Sequence, residues 1–176
     1  MKENKKVVWF IVSALGMYLA WFILYGFWLS NFDTWLTVKL AETSAVFLRI
    51  TGYAAEANKS NLIIDGYNLV HVDTPCNGME LMALFAGFII AFPGPVLKKL
   101  IFIPIGIFLI NFLNILRIAG LALNAFYSYE TLEFNHKYTF TIIVYAFIFG
   151  LWMLWVKKYS SLNNYAVTTA PQQQTA

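Results

Sequence analysis

Three side chains of the types that carry out acyl transfer occur at separate points along the chain: Cys76, Arg117 and His136. A thiol is a nucleophile, an imidazole moves protons near neutral pH, and a guanidinium stabilises a developing oxyanion. Together they are a complete set for cleaving or transferring an acyl group. Each also has an ordinary explanation, since a lone cysteine is often a small buried thiol and a lone histidine an interfacial polar residue.

The residues around Cys76 resemble the beginning of a helix. Thr74 is a good helix N-cap and Pro75 suits the first helical position, so we predict that Cys76 lies in the first turn. Free backbone N–H groups and the helix dipole at that position favour a thiolate. Glu80 follows one turn later on the same face. We predict that Glu80 and Asn77, the residue next to Cys76, are supporting residues of the site.

Polar residues recur within a long apolar stretch that contains Arg117. Asn111, Asn114 and Arg117 are spaced three apart, so they share one side of a helix. A charged residue inside a membrane span is costly and is a functional candidate by default. The alternative is a structural or snorkelling arginine paired with Glu80. Asparagines in spans more often hold helices together, and Asn114 is therefore predicted as a supporting residue.

The composition indicates a membrane protein. The 176 residues are 60% hydrophobic, 18% aromatic and only 12% charged, which is too apolar for an ordinary soluble domain. A bilayer span needs about 20 mostly apolar residues. The sequence therefore predicts an all-α integral membrane protein, a four-transmembrane-helix bundle within a single domain of residues 1–159. The predicted spans are residues 7–29, 76–92, 100–121 and 138–156.

The segment between the first two predicted spans, residues 30–75, is predicted to be an extracytoplasmic insertion. Residues 33–53 have helical composition, and residues 61–72 are typical of a β-hairpin. Its Asp65-Gly66 pair suits a type I′ turn. The tail, residues 160–176, is polar and is predicted to be a disordered cytoplasmic segment.

Lysine clusters orient the predicted spans. With four spans, all the clusters lie on one face, and the positive-inside rule makes that face and both termini cytoplasmic. Cys76, Arg117 and His136 then lie at the outer ends of three different spans, which places the active site outside the cytoplasm. The clustered lysines are Lys2, Lys5, Lys6, Lys98, Lys99, Lys157 and Lys158.

Several classes of protein are disfavoured by residue counts and motifs. The single cysteine excludes an internal disulfide and a Cys-x-x-Cys exchange site, and two isolated histidines do not make a zinc site. We expect no metal, no cofactor and no nucleic-acid partner. The aspartates lie outside the predicted spans, and the Gly-x-Ser-x-Gly motif of serine hydrolases is missing from the sequence. A non-enzymatic scaffold or small transporter is the alternative function.

The motifs resemble those of the exosortase/archaeosortase family. The resemblance rests on Cys76-Asn-Gly78, on Asn114-Ile-Leu-Arg117 and on the later His136, and it covers residues 75–155. A single span before the cysteine is similar to a small exosortase such as the exosortase F type.

The resemblance implies a membrane-embedded cysteine peptidase or transpeptidase of the cell inner membrane. Its substrates would be exported proteins with a C-terminal motif, a transmembrane helix and a basic cluster, cleaved through a thioester and passed to an amine or lipid-linked acceptor. Membrane lipid surrounds such an enzyme. The implied roles are Cys76 as nucleophile, Arg117 as oxyanion stabiliser and His136 as acid and base. His71, on the predicted hairpin, is a rival base that the residues alone leave open.

Overall fold

The computed structural model describes residues 12, 15, 16, 19, 22, 23 and 25–159. The chain divides into two compact units, Met1–Leu36 and Thr37–Ala176. Most of the predicted first span, residues 7–29, and the whole predicted disordered tail, residues 160–176, lie outside the described residues. In the first unit, Tyr25 donates a hydrogen bond to the Asp33 carboxylate.

A π-helical turn, Tyr25–Leu29, leads into the first long helix. By length and composition, two segments of the described chain are able to cross a bilayer: Val96–Tyr127 and Tyr129–Lys158. Only 22% and 17% of their most apolar stretches are buried, so most of this apolar surface needs lipid to cover it. The helices are α1, Ser30–Ile50; α2, Met79–Ala91; α3, Val96–Tyr127; and α4, Phe140–Lys158.

The predicted second span, residues 76–92, contains helix α2, which begins and ends inside these bounds. Helix α2 has 13 residues, and at 1.5 Å per residue it measures about 20 Å, less than a hydrocarbon core of about 30 Å. The predicted third and fourth spans both fall on long helices, and α3 continues to Tyr127 with Pro104 inside it. Between α3 and α4 the chain forms short helical turns, Tyr129–Thr131, Leu132–Phe134 and Asn135–Thr139.

The predicted β-hairpin is confirmed and belongs to a small antiparallel sheet. Strand β2, Asn61–Ile64, pairs with β3, Tyr67–His71, and Asp65 and Gly66 have φ values of 51° and 82°. A type I′ turn requires these positive values. Strand β1, Ala55–Asn58, was not predicted, and it pairs with the other side of β2 to give the order β1-β2-β3.

Helices α2, α3 and α4 are held together by aromatic side chains. Phe88 of α2 stacks on Trp152 of α4 with ring centroids 4.6 Å apart. Phe102 of α3 lies 5.2 Å from the ring of Trp155, which is fully buried. Small residues let the helices approach, as they commonly do in membrane bundles. Because α3 and α4 carry Arg117 and the chain next to His136, this packing positions the candidate site.

One close approach predicts a measurable stability effect. A Cβ at Gly106 of α3 would lie 2.2 Å from the ring of Phe85, which is fully buried, so the ring or the helix must shift. We expect Gly106→Ala to destabilise the protein by about 1–3 kcal/mol, as overpacking does. Gly87→Ala is the matched control because nothing lies within 4 Å of a Cβ there. Thermal unfolding in detergent measures both, and an equal midpoint for the two variants would contradict the packing.

Candidate active site

Cys76 lies in a tight turn that precedes α2. Thr74–Cys76 form a single 3₁₀ turn whose N-cap is Asp73, and the Cys76 N–H donates to the Asp73 carbonyl at 2.9 Å. The predictions that Thr74 is the N-cap and that Cys76 lies in the first turn of a long helix are therefore wrong. The reason is Gly78, whose φ of 78° is left-handed and interrupts the helix before Met79.

Buried amides fix the turn. Asn77 donates from Nδ2 to Thr37 Oγ1 at 3.0 Å and accepts from the Met79 N–H at 2.9 Å, at the start of α2. Asn114 of α3 donates from Nδ2 to the Cys76 carbonyl at 3.4 Å. Both asparagines are buried; Asn114 holds the Cys76 backbone directly, and Asn77 fixes the residue that follows it. Sequence reasoning selected both asparagines but missed Thr37, for which the sequence offers no signal.

Gly78 is required by conformation and by space. A Cβ at that position would lie 2.4 Å from Asn114 Nδ2, in a backbone conformation that L side chains rarely adopt. We expect Gly78→Ala to cost about 1–3 kcal/mol and to displace the turn that carries Cys76. The measurement is the thermal midpoint together with the alkylation rate of Cys76. Gly150→Ala, an open position on α4, is the control, and unchanged values in Gly78→Ala would contradict this role.

The thiol of Cys76 contacts the imidazole of His136. Cys76 Sγ lies 3.5 Å from His136 Nε2, within hydrogen-bond range for sulfur. Cys76 is partly exposed, so a substrate can reach it. His136 belongs to the π-helical turn Asn135–Thr139, and its carbonyl accepts a hydrogen bond from Thr141 Oγ1 at 3.1 Å. The contact joins two residues that are 60 positions apart in the sequence.

A cavity of about 430 Å³ opens beside this pair, within the size range of ligand pockets. Arg117 lines it with Cys76 and His136, so the three predicted catalytic residues face one space. Within the described part of the chain, the Arg117 side chain forms neither an ion pair nor a hydrogen bond, which leaves its guanidinium available to an oxyanion. The rest of the lining consists of Leu69, Val70, His71, Val72, Ile118, Leu121, Tyr129, Glu130, Leu132 and Glu133.

His71 also lines the cavity but is engaged elsewhere. Its Nδ1 lies 2.6 Å from Asn61 Oδ1, and its Nε2 lies 3.2 Å from Asp73 Oδ1. Both ring nitrogens therefore have partners, and no hydrogen bond joins His71 to Cys76 among the described residues. The geometry favours His136 over His71 as the base for this thiol.

Glu80 is not part of the cavity. Its side chain is exposed at the start of α2, and no ion pair joins it to Arg117 in the described part of the chain. Asn111 donates to the Met82 sulfur at 2.9 Å and to the Ile107 carbonyl at 3.0 Å, so it links α2 with α3. Of the seven predicted site residues, four line the cavity: Cys76, Arg117, His136 and His71. Asn77 and Asn114 support the cysteine turn from behind, and Glu80 lies outside the site.

The charges near the site have both signs. His136 interacts electrostatically with Arg117, Lys137 and Asp73. Glu133 at the cavity wall forms an ion pair with Lys137, one helical turn away. Arg117, by contrast, lines the cavity and has no carboxylate partner among the described residues.

One family model matches nearly the whole chain. The model, described as "Transmembrane exosortase (Exosortase_EpsH)", covers residues 4–156. This range includes every residue of the cavity. No curated protein and no solved structure matches the chain.

Proposed function

The chain belongs to the transmembrane exosortase family of membrane-embedded sorting enzymes, and from this premise we propose that it is a cysteine transpeptidase or peptidase. Its substrates are exported proteins with a C-terminal motif, a transmembrane helix and a basic cluster. The observation that carries the proposal is the 3.5 Å contact of Cys76 Sγ with His136 Nε2 in a cavity that Arg117 also lines. The family match alone does not assign these roles, and the geometry supports them.

The first half-reaction forms a thioester. His136 takes the proton of the Cys76 thiol, and the thiolate attacks the scissile carbonyl of the substrate. The carbonyl oxygen becomes an oxyanion, which Arg117 stabilises from the cavity lining; beside low-dielectric protein and lipid a charge interaction is stronger than in bulk water. The intermediate collapses, the C–N bond breaks, and the imidazolium of His136 returns the proton to the departing amine.

The second half-reaction reverses these proton movements. An amine or lipid-linked acceptor, or water, attacks the thioester while His136 accepts its proton. The C–S bond breaks, and the proton returns to the Cys76 sulfur. The free enzyme is restored without any redox change, so thiol and imidazole are sufficient for both proton transfers.

We place the cavity on the outer face of the cytoplasmic (inner) membrane, with four spans and both termini inside. Helix α3 rises about 27 Å from Lys99 to Arg117, close to the thickness of a hydrocarbon core. Lys98 Nζ lies 5.5 Å from the ring of Tyr159, just past the end of α4, so lysines of both helices share one end of the bundle. The separation of these lysines from the cavity supports the proposed orientation.

A processing assay in cells tests the proposal. The reporter is an exported domain fused to the C-terminal segment of a membrane protein from the same genome, with a transmembrane helix and a basic tail. We expect the reporter to become smaller only when the enzyme is present, and mass spectrometry of the product identifies the cleavage site and the acceptor. A reporter without its C-terminal motif is the control. If no such protein of the genome is processed, the scaffold or transporter function is favoured instead.

Arg117 offers a graded test of oxyanion stabilisation. Removing one such donor typically lowers the catalytic rate by about 10²–10³-fold. We expect a loss of this size in Arg117→Gln and a smaller one in Arg117→Lys, which keeps the charge but changes its position. The initial rate of reporter processing measures both. Arg49→Gln is the matched control because Arg49 is an exposed arginine outside the cavity, and equal rates in Arg117→Gln and Arg49→Gln would contradict the role of Arg117.

A further inference from the structure

Strand β3 presents one edge to the cavity that contains Cys76. In the three-stranded sheet, β3 pairs only with β2, so its other edge has no strand partner among the described residues. The Val72 N–H, just past the strand, donates towards β2 by bonding the Ser60 carbonyl at 2.9 Å. Backbone groups alternate in direction along an antiparallel strand, so the N–H and C=O of His71 point to the open side.

The cavity lies along this open edge. Four consecutive residues, Leu69 to Val72, line it. None of the lining residues belongs to β1 or β2, so the cavity lies on the side of β3 away from its paired neighbour. Unpaired edges of this kind are templates for another strand.

From this arrangement we propose that β3 binds the polypeptide being cleaved as an added fourth strand. The inference rests on the proposed function. A polypeptide that lies between β3 and Cys76 presents a peptide carbonyl to Sγ, and under the proposed function that polypeptide is the substrate. Residues 69–72 span about 13 Å when extended, enough to pair with about four residues of substrate. Backbone hydrogen bonds then supply affinity, and alternate side chains enter the cavity.

Strand addition also explains how a flexible peptide is oriented for attack. Residues 72–75 separate the strand from Cys76, and the turn that carries the cysteine is fixed by the buried Asn77 and Asn114. A substrate paired with β3 therefore runs towards a thiol whose position is set by the same continuous segment of chain. This positioning reduces the entropy lost in reaching the reactive geometry.

Cross-linking in membranes tests the proposal with the full-length enzyme. The Cys76→Ala variant has no cysteine, since Cys76 is the only one in the sequence, so a single new cysteine is placed at Leu69 or at Val70. The reporter of the processing assay carries single cysteines at successive positions near its cleavage site, and a short, rigid bismaleimide joins the pairs. We expect cross-links at every second reporter position from either enzyme position, because alternate side chains of the added strand face the same way.

Two further variants keep the result decisive. Tyr67→Cys alters an exposed residue of β3 and loses no buried contact, so it provides the same alternating readout if Leu69→Cys or Val70→Cys impairs folding. Glu56→Cys, on the far edge strand β1, should give no cross-link. Cross-links without alternation, or none from β3, would overturn strand addition while wild-type processing continues. Loss of wild-type processing itself would overturn the proposed function instead.

Discussion

Cys76→Ala is expected to reduce reporter processing to the level of cells that lack the enzyme. Removing the nucleophile of a covalent mechanism leaves only binding and oxyanion stabilisation, and typical losses are about 10⁴-fold or more. Cys76→Ser should be nearly as inactive. A hydroxyl is far less acidic than a thiol, so His136, which lies 3.5 Å from the thiol sulfur, would generate little of the anionic nucleophile. The reporter size shift on an immunoblot measures both variants.

The Cys76 result depends on the turn remaining folded. Cys76 is partly exposed and its backbone is held by Asp73 and Asn114, so removing the sulfur atom should leave the thermal midpoint close to that of the wild type. Equal protein amounts in the membrane fraction and an unchanged midpoint are the controls. Processing at the wild-type rate in Cys76→Ala would remove this residue from the mechanism and with it the thioester.

The sequence predicted those parts of the fold that local patterns determine. The apolar lengths of α3 and α4 were evident, and the Asp65-Gly66 pair specified its hairpin because few other residues accept two positive φ values in succession. Strand β1 was missed because Ala55-Glu-Ala-Asn58 has little β-propensity of its own. It becomes a strand by pairing with β2, whose Leu62 and Ile64 are fully buried.

At the candidate site, too, the sequence predicted only what local patterns determine. Residue types and the expected face identified Cys76, Arg117 and His136, but the local structure of the cysteine turn was mispredicted. Thr74 and Pro75 resemble a helix start, and the interruption follows from a left-handed Gly78 packed against Asn114 of another helix. Contacts such as Asn77 with Thr37, which are 40 residues apart, depend on tertiary packing and leave no local pattern.

Glu80 illustrates how one wrong element changes a side-chain prediction. Had the helix begun at Thr74, Glu80 would have lain one turn from Cys76 on its face. With α2 beginning at Met79, the carboxylate points to solvent, and Arg117 keeps no carboxylate partner in the described residues. An unpaired guanidinium suits a transition state better than a neutralised one, because its charge is available when the oxyanion forms.

His136→Ala is expected to slow reporter processing by about 10²–10⁴-fold, the range for loss of a general acid and base. His71→Ala should have a smaller effect, because the ring of His71 is bonded to Asn61 and Asp73 instead of the thiol. Initial processing rates of the two variants, measured at equal protein amounts in the membrane, provide the comparison. A larger loss in His71→Ala would transfer the role of base to His71.

A second readout separates proton transfer from a structural role of His136. Because the chain has one cysteine, alkylation by iodoacetamide reports on Cys76 without background. In the proposed mechanism the imidazole of His136, 3.5 Å from Sγ, accepts the thiol proton and so promotes thiolate formation. Removing it should slow alkylation near pH 7 and leave the rate little changed at a pH where an ordinary thiol is already ionised. Equal slowing at all pH values would show a displaced thiol, and His136 would then be structural.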